Sequence, residues 1–342
     1  MTPLQILDAA INGTPAPRIP IFCNLLDQGA RELGIASKEY FNNGTKVAEA
    51  QLRMLNRYGH DNVWSLHYVG KEAELLGCQS VLFADDGPPN VADFVIKTWD
   101  DIAKFEIPAD ITQHPAWETV ADCLTLLRRE VGNTHPICAY VTASTTLPAI
   151  LMGMDKWMEL LLMGPADLRD ALLRKCNQFV KQNITALSAA GANVLIYSSP
   201  FGSTYFVNKK ILQSLIMPWM QQDLQPGGVH DVVYYCGMAP FNDVIDDVFE
   251  QLQIKCHYIS PLADLAVAKR IIHRRGLTCG VIDDIKMINW SADETRAEVK
   301  RIIDIGKTEG HFLFGTGVMP MAIPETNIKA MLDAAFEYGA LA

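Results

Sequence analysis

The chain of 342 residues is predicted to be α/β, a single (β/α)8 TIM barrel spanning residues 1–342 with a helical extension at its amino end. Three observations carry that prediction. From about Ile137 onward a short apolar strand, a loop and a longer amphipathic helix recur in strict order, the rhythm of a parallel sheet with crossover helices. The strand segments are nearly continuously apolar instead of alternating, as expected where both faces are covered. The candidates number eight, the count that closes a barrel. An open doubly wound sheet is the competing architecture, but no candidate strand runs into a dinucleotide-type glycine turn. Gly315-Thr-Gly317 is followed by Val-Met-Pro, so the third glycine is missing.

In chain order, Thr2 to Ile11 has the spacing of an amphipathic helix, and Pro15-Ala-Pro17 breaks it before the first strand, Ile19–Asn24. Asp27 to Leu33 and Lys46 to Tyr58 place apolar residues at helical spacing, the second closing at Gly59. Val63–Tyr68 is the second strand, and Lys71 to Gly77 follows it. Cys78 to Ala92, with Asp85-Asp86-Gly87-Pro88-Pro89, is turn-rich and reads as a hairpin or lid outside the repeated unit. The remaining strands are Ile137–Ala143, Val194–Ser198, Val232–Cys236, Lys255–Ile259, Thr278–Ile282 and His311–Gly315. Amphipathic helices over Ala166–Ala189, Phe241–Leu252, Ala263–Arg275 and Asp293–Glu309 fall between them.

Composition excludes several classes. Hydrophobic residues make up 49% and charged residues 20%, which suits a globular chain with a large core. The net charge of −10, without a basic run, argues against nucleic acid. The apolar stretch around Leu147–Leu162 is interrupted by Asp155, Lys156 and Glu159, so no membrane span is expected. An amino terminus with Asp8 and no basic segment does not read as a secretory signal, and eight scattered cysteines without a close pair suit a reducing compartment. A cytoplasmic location is therefore expected. Oligomerisation is compatible with everything above.

Val232-Val-Tyr-Tyr-Cys-Gly237 reads as a buried strand meeting a loop at the barrel's carboxyl end, where barrel enzymes keep their active sites. Tyr234 and Cys236 share one face of that strand and Tyr235 takes the other. A phenol there is placed to donate a proton or hydrogen bond, although a packed aromatic with a satisfied hydroxyl is the plainer reading. His67 and Tyr68 end the second strand, again at the rim, with a satisfied polar histidine as the alternative. His257 lies early in its strand, nearer the closed end. Asp283 and Asp284 follow the seventh strand; Asp283 is the expected contact and Asp284 the expected helix cap.

Glu72-Ala-Glu-Leu-Leu-Gly-Cys78, Gly87-Pro-Pro, Tyr235-Cys-Gly237, and Gly315-Thr-Gly317 followed by Ile323-Pro-Glu-Thr-Asn-Ile-Lys-Ala330 occur in this order. Together they resemble the uroporphyrinogen decarboxylase superfamily over nearly the whole chain, and its corrinoid-dependent methyltransferases more than its decarboxylases. The resemblance implies a (β/α)8 barrel and places Glu74 at the barrel mouth. It also implies what is missing. Decarboxylases of the family carry arginines after the first strand and an aspartate after the second, whereas Asn24-Leu-Leu and His67-Tyr stand here. An anionic porphyrinogen would lack its cationic partners. Thiol methyltransferases of the family hold zinc through a His-x-Cys at the fifth strand and a Cys after the last, so that a thiolate can form. Those places read Tyr234, Cys236 and Thr316, and only Cys236 is retained. His67, Glu74, His257 and Cys279 are the residues from which a zinc site would have to be rebuilt.

The expectation is thus a methyltransferase acting between a small methylated substrate, preferably an aryl methyl ether, and the cobalt of a corrinoid. No Asp-x-His-x-x-Gly pattern occurs, so the corrinoid would arrive on a partner protein. Tyr234, His67 and Tyr235 are the candidate catalytic groups; Glu74, Asn24, Cys236, Asp283, Thr316 and His257 are the candidate substrate contacts. A zinc-dependent thiol methyltransferase, a decarboxylase-like lyase and a non-catalytic tetrapyrrole or small-aromatic binding module are the competing readings.

Overall fold

Nine strands form in the computed structural model, which describes residues 1–84, 87–225 and 231–341. They are β1 Val63–Trp64, β2 Val81–Leu82, β3 Asn90–Val91, β4 Ile137–Thr142, β5 Val194–Ser198, β6 Asp231–Tyr235, β7 Cys256–Ile259, β8 Leu277–Ile282 and β9 Phe312–Thr316. Seven make one parallel sheet in the order β1-β4-β5-β6-β7-β8-β9. The apolar strands bury both faces, as parallel pairing under covering helices requires. β2 and β3 form a separate antiparallel pair, the hairpin expected within Cys78–Ala92; Asp85 and Asp86 lie outside the described residues.

The eighth barrel position is where expectation and structure differ. Ile19–Asn24 occupies it between β9 and β1, but only Ile21 pairs as a bridge, with Phe314. Its hydrogen bonds explain why. Toward β9, Phe22 N–H donates to Phe314 O at 2.9 Å and Phe314 N–H to Pro20 O at 3.1 Å. Pro20 has no N–H to give. Toward β1 one backbone bond remains, Asp61 N–H to Ile21 O at 2.9 Å, while the segment's own N–H groups go to side chains: Ile21 N–H donates to Asp61 Oδ2 at 2.7 Å and Cys23 N–H to Asn62 Oδ1 at 2.9 Å. Asp61 is fixed in turn by Arg18 through two contacts of 2.5 and 2.6 Å. The barrel closes, with carboxylate and amide groups replacing part of the ladder.

The helix Pro3–Asn12 is the expected extension. Thr2 and Gln5 form a reciprocal capping box at its start. Its Leu7 and Ile11 meet Phe22, Cys256 and Leu277 at the amino ends of the strands and close that end of the barrel. Helix Ala166–Ala190 is as expected. The segment expected as one helix over Phe241–Leu252 is instead a 3-10 turn at Asn242–Val244, a short α piece at Ile245–Asp247 and a π turn at Val248–Leu252. The wider turn sets Phe249 against the His257 ring, centroids 4.5 Å apart. Among the described residues no helix is long and apolar enough to cross a membrane.

Candidate functional site

With the amino end plugged, the open carboxyl end holds a cavity of about 600 Å3. Tyr140 of β4, Ser198 of β5 and Tyr235 of β6 form its floor, because inward-pointing residues alternate along each strand. Leu26, Asp27, His67 and Val318 reach it from loops that leave the neighbouring barrel positions. The hairpin residues Asn90 and Val91, with Phe94 and Ile150, wall the side opposite the floor.

Aromatic rings dominate the floor. Tyr140 stacks on Trp64 at 5.1 Å, lies 5.0 Å from His67 and 6.0 Å from Tyr235. Tyr235 meets Tyr258 edge-on at 5.6 Å. Asn24 Nδ2 donates to the Tyr140 hydroxyl at 3.1 Å, which holds that phenol in place.

Asp27 is the group that stands apart. It is 2% exposed, and its Oδ2 accepts no hydrogen bond from the described residues. A carboxylate buried without a cation or donor is costly, so it keeps its proton. Burial pushes the Asp27 carboxyl up to about 7. His67 moves the other way: burial, then the Lys71 ammonium, lowers it to about 4, so the imidazole is neutral. Near pH 7 the mouth therefore presents a carboxyl that still keeps its proton in about half of the molecules, and an uncharged imidazole.

The other sequence candidates have different tasks. Tyr234 faces the helical layer, where its hydroxyl donates to Gly202 O at 2.7 Å and its ring meets Phe241 edge-on. Cys236 is 1% exposed, and burial pushes its thiol well above the ordinary range. Thr316 Oγ1 accepts from Asn24 N–H at 2.9 Å and donates to Gly317 O at 3.0 Å, tying the irregular first segment to β9. Glu74 accepts from the Tyr68 hydroxyl at 2.8 Å and from Lys71 at 2.7 Å. His257 packs against Phe249 and Phe241 outside the barrel, and burial lowers it to about 3.

Asp283, expected as a substrate contact, is the helix cap that Asp284 was expected to be. Asp283 caps the turn Asp284–Met287, accepting Lys286 N–H at 3.0 Å and the Lys286 ammonium at 2.9 Å. Asp284 is buried beside Gly317, where a Cβ would lie 2.7 Å from its Oδ2. Burial, then the neighbouring Asp283 charge, pushes it up to about 7. Asp27 and Tyr140 line the cavity without having been among the expected site residues. Asp27 was legible as a residue just beyond the first strand, but helical spacing made it look like a helix start.

The donor set does not fit a zinc-thiolate centre. Tyr234 and Thr316 spend their hydroxyls on backbone carbonyls, and the Cys236 thiol is held in its neutral form. Among the described residues no three His, Cys, Asp or Glu side chains gather where they would hold a metal ion.

Comparison with known proteins agrees with this fold. The chain is 25% identical over 338 residues to the methylcobamide:CoM methyltransferase MtaA of Methanosarcina barkeri, covering 96% of each. It is 24% identical over 338 residues to the protein of that name from strain Fusaro, again covering 96% of each. A methyltransferase structure from Methanosarcina mazei superposes with a TM-score of 0.84 at 20% identity, covering 99% of this chain and 100% of the other. A putative vitamin-B12 independent methionine synthase from Listeria monocytogenes shares the fold at a TM-score of 0.59 and 12% identity, over 94% and 98%. The family described as Uroporphyrinogen decarboxylase (URO-D) matches residues 2–338, and the chain belongs to that family.

Proposed function

We propose that this methyltransferase moves a methyl group between a small molecule held in the mouth cavity and the cobalt of a corrinoid carried by a separate protein. In the preferred direction a methyl ether, aryl ethers above all, is the donor. The observation that carries this reading is Asp27, a buried and unpartnered carboxyl in an aromatic-walled cavity. Breaking a methyl–oxygen bond leaves the electron pair on oxygen, and that oxygen needs a proton as the methyl carbon passes to reduced cobalt. Asp27 supplies it. Neutral His67 and Tyr235 orient the ether oxygen, and the flat rings of Tyr140 and Tyr235 suit an aryl group.

Access supports the same reading. Met238, Leu262, Ile285 and Val318 follow successive strands of the barrel, and all four are exposed, Leu262 at 57% and Ile285 at 53%. An apolar rim around an open cavity matches a bulky macrocycle presented by a partner. Thiol methylation is the second reading, favoured by the methylcobamide:CoM methyltransferase activity for which the Methanosarcina barkeri relatives are named. It requires a metal-bound thiolate, and Tyr234 and Thr316, whose hydroxyls donate to backbone carbonyls, are poor ligands for such a metal.

Asp27→Asn tests the assignment. With reduced corrinoid protein and a methyl ether, methyl transfer should fall ~100-fold, the usual size of a general-acid contribution. Unchanged transfer by the variant would remove Asp27 from the reaction. Zinc that copurifies stoichiometrically and is lost on Cys236→Ser would instead favour the thiol reading.

A further inference from the structure

The His67 side chain is a partition. On one side it lines the mouth cavity, and on the other a second, much smaller space of about 20 Å3. A single water needs roughly 10–15 Å3 of such space and two to four polar partners. Glu72, Lys71, Ser65 and Asn183 line the smaller space with His67, so the polar partners are present.

Glu72 itself is left half-used. Its Oε1 accepts Thr142 N–H at 3.0 Å and Asn183 Nδ2 at 3.0 Å. Its Oε2 is buried and has no hydrogen-bond partner among the described residues. The two donors fix which oxygen is which. His67 likewise makes ring contacts only, with no hydrogen bond to a described residue from either nitrogen. A neutral imidazole with nothing to choose its tautomer is a poor orienting group, because either nitrogen is then free to carry the proton.

We propose that the small space is a water site through which Glu72 fixes the tautomer of His67. Glu72 carries its proton on Oε2, donates it in a hydrogen bond to the water, and the water donates to the inner nitrogen of His67. The cavity-side nitrogen must then bear the ring proton and faces substrate as a donor. Burial, its largest influence, raises the Glu72 carboxyl, in keeping with a proton on Oε2. The Lys71 ammonium pairs with Glu74 at 2.7 Å and sits over the Tyr68 ring, and any N–H it has left can only donate to the water, which leaves the water's own donation to His67 in place. Glu72 is on this account a positioning residue, and its relevance to methyl transfer rests on the function proposed above. The water and the tautomer do not.

The test therefore reads the ring directly. Nitrogen–proton correlation spectra of the full chain, with His67 assigned by His67→Gln, should show one neutral tautomer in the wild type. Glu72→Gln should keep that tautomer, because its amide oxygen can replace Oε1 and its NH2 can donate where Oε2–H did. Ala139→Val adds two methyl groups at a residue of β4 that lines the same space and leaves the Glu72 carboxyl itself unchanged, and should leave a mixture of tautomers. A high-resolution crystal structure of the wild type should show one water within hydrogen-bond distance of both Glu72 Oε2 and His67. A dry space, or a tautomer unchanged by Ala139→Val, would overturn the proposal while leaving methyl transfer untouched. A reversed tautomer in Glu72→Gln would overturn it equally, since it would mean that Oε2 accepts.

Discussion

Asp27 joins the chemistry of the site to the stability of the protein. Its carboxyl titrates near 3.8 when exposed and at about 7 in the folded protein. Between those values the folded chain holds a proton that the unfolded chain has released, so stability falls as pH rises from about 4 to about 7 and then levels off. The cost at pH 8 is on the order of a few kcal/mol. Asp27→Asn removes it: melting temperatures of variant and wild type should agree near pH 4, with the variant higher at pH 8. Activity should run the opposite way, the trade expected of a destabilised catalytic group. In the wild type the methyl-transfer rate should fall as pH rises through about 7, as the acid is lost. None of this was visible from the residue alone, because the absence of partners around Asp27 is a property of distant segments. The rim position of Tyr235 was legible, since it ends β6; His67 also lines the cavity, but from the loop beyond β1, which stops at Trp64 and not at Tyr68 as expected.

At the scale of elements, periodicity identified nearly everything whose hydrogen bonds are made by backbone. Val194–Ser198 is strand β5 with the expected bounds, and the others differ at the ends. Periodicity does not report side chains that stand in for backbone, which is why Ile19–Asn24 looked like an ordinary strand. Asp61→Asn should reveal the difference. The variant loses the buried charge that pairs with Arg18, whose side chain is 21% exposed; leaving that partly solvated guanidinium unpaired costs ~2 kcal/mol, less than in a fully buried pair. Urea unfolding should show that loss; a change within measurement error would mean that β9 alone holds the segment. Tyr234 illustrates the same limit at a strand end. The alternation rule put it opposite Tyr235, but the rule does not say which face is the cavity, and Tyr235 has it.

For the molecule as a whole, the closed amino end and the open carboxyl end leave one approach to the cavity for both reactants. On the proposed function the small substrate occupies the cavity and the partner covers the apolar rim. A charge on that rim should therefore affect one reactant and not the other. Leu262→Glu or Ile285→Glu should raise the KM for the corrinoid protein ~10-fold, a loss of about 1.4 kcal/mol, with binding of the small substrate unchanged. The central claim is tested most directly by mixing the purified protein with a reduced corrinoid protein and a panel of methyl ethers, methylamines and thiols while following the cobalt spectrum. The account predicts that methylcobalt appears with an ether, that a zinc chelator does not slow it, and that Asp27→Asn does. Methylcobalt formed from no ether, or consumed only by a thiol in a zinc-dependent reaction, would contradict it.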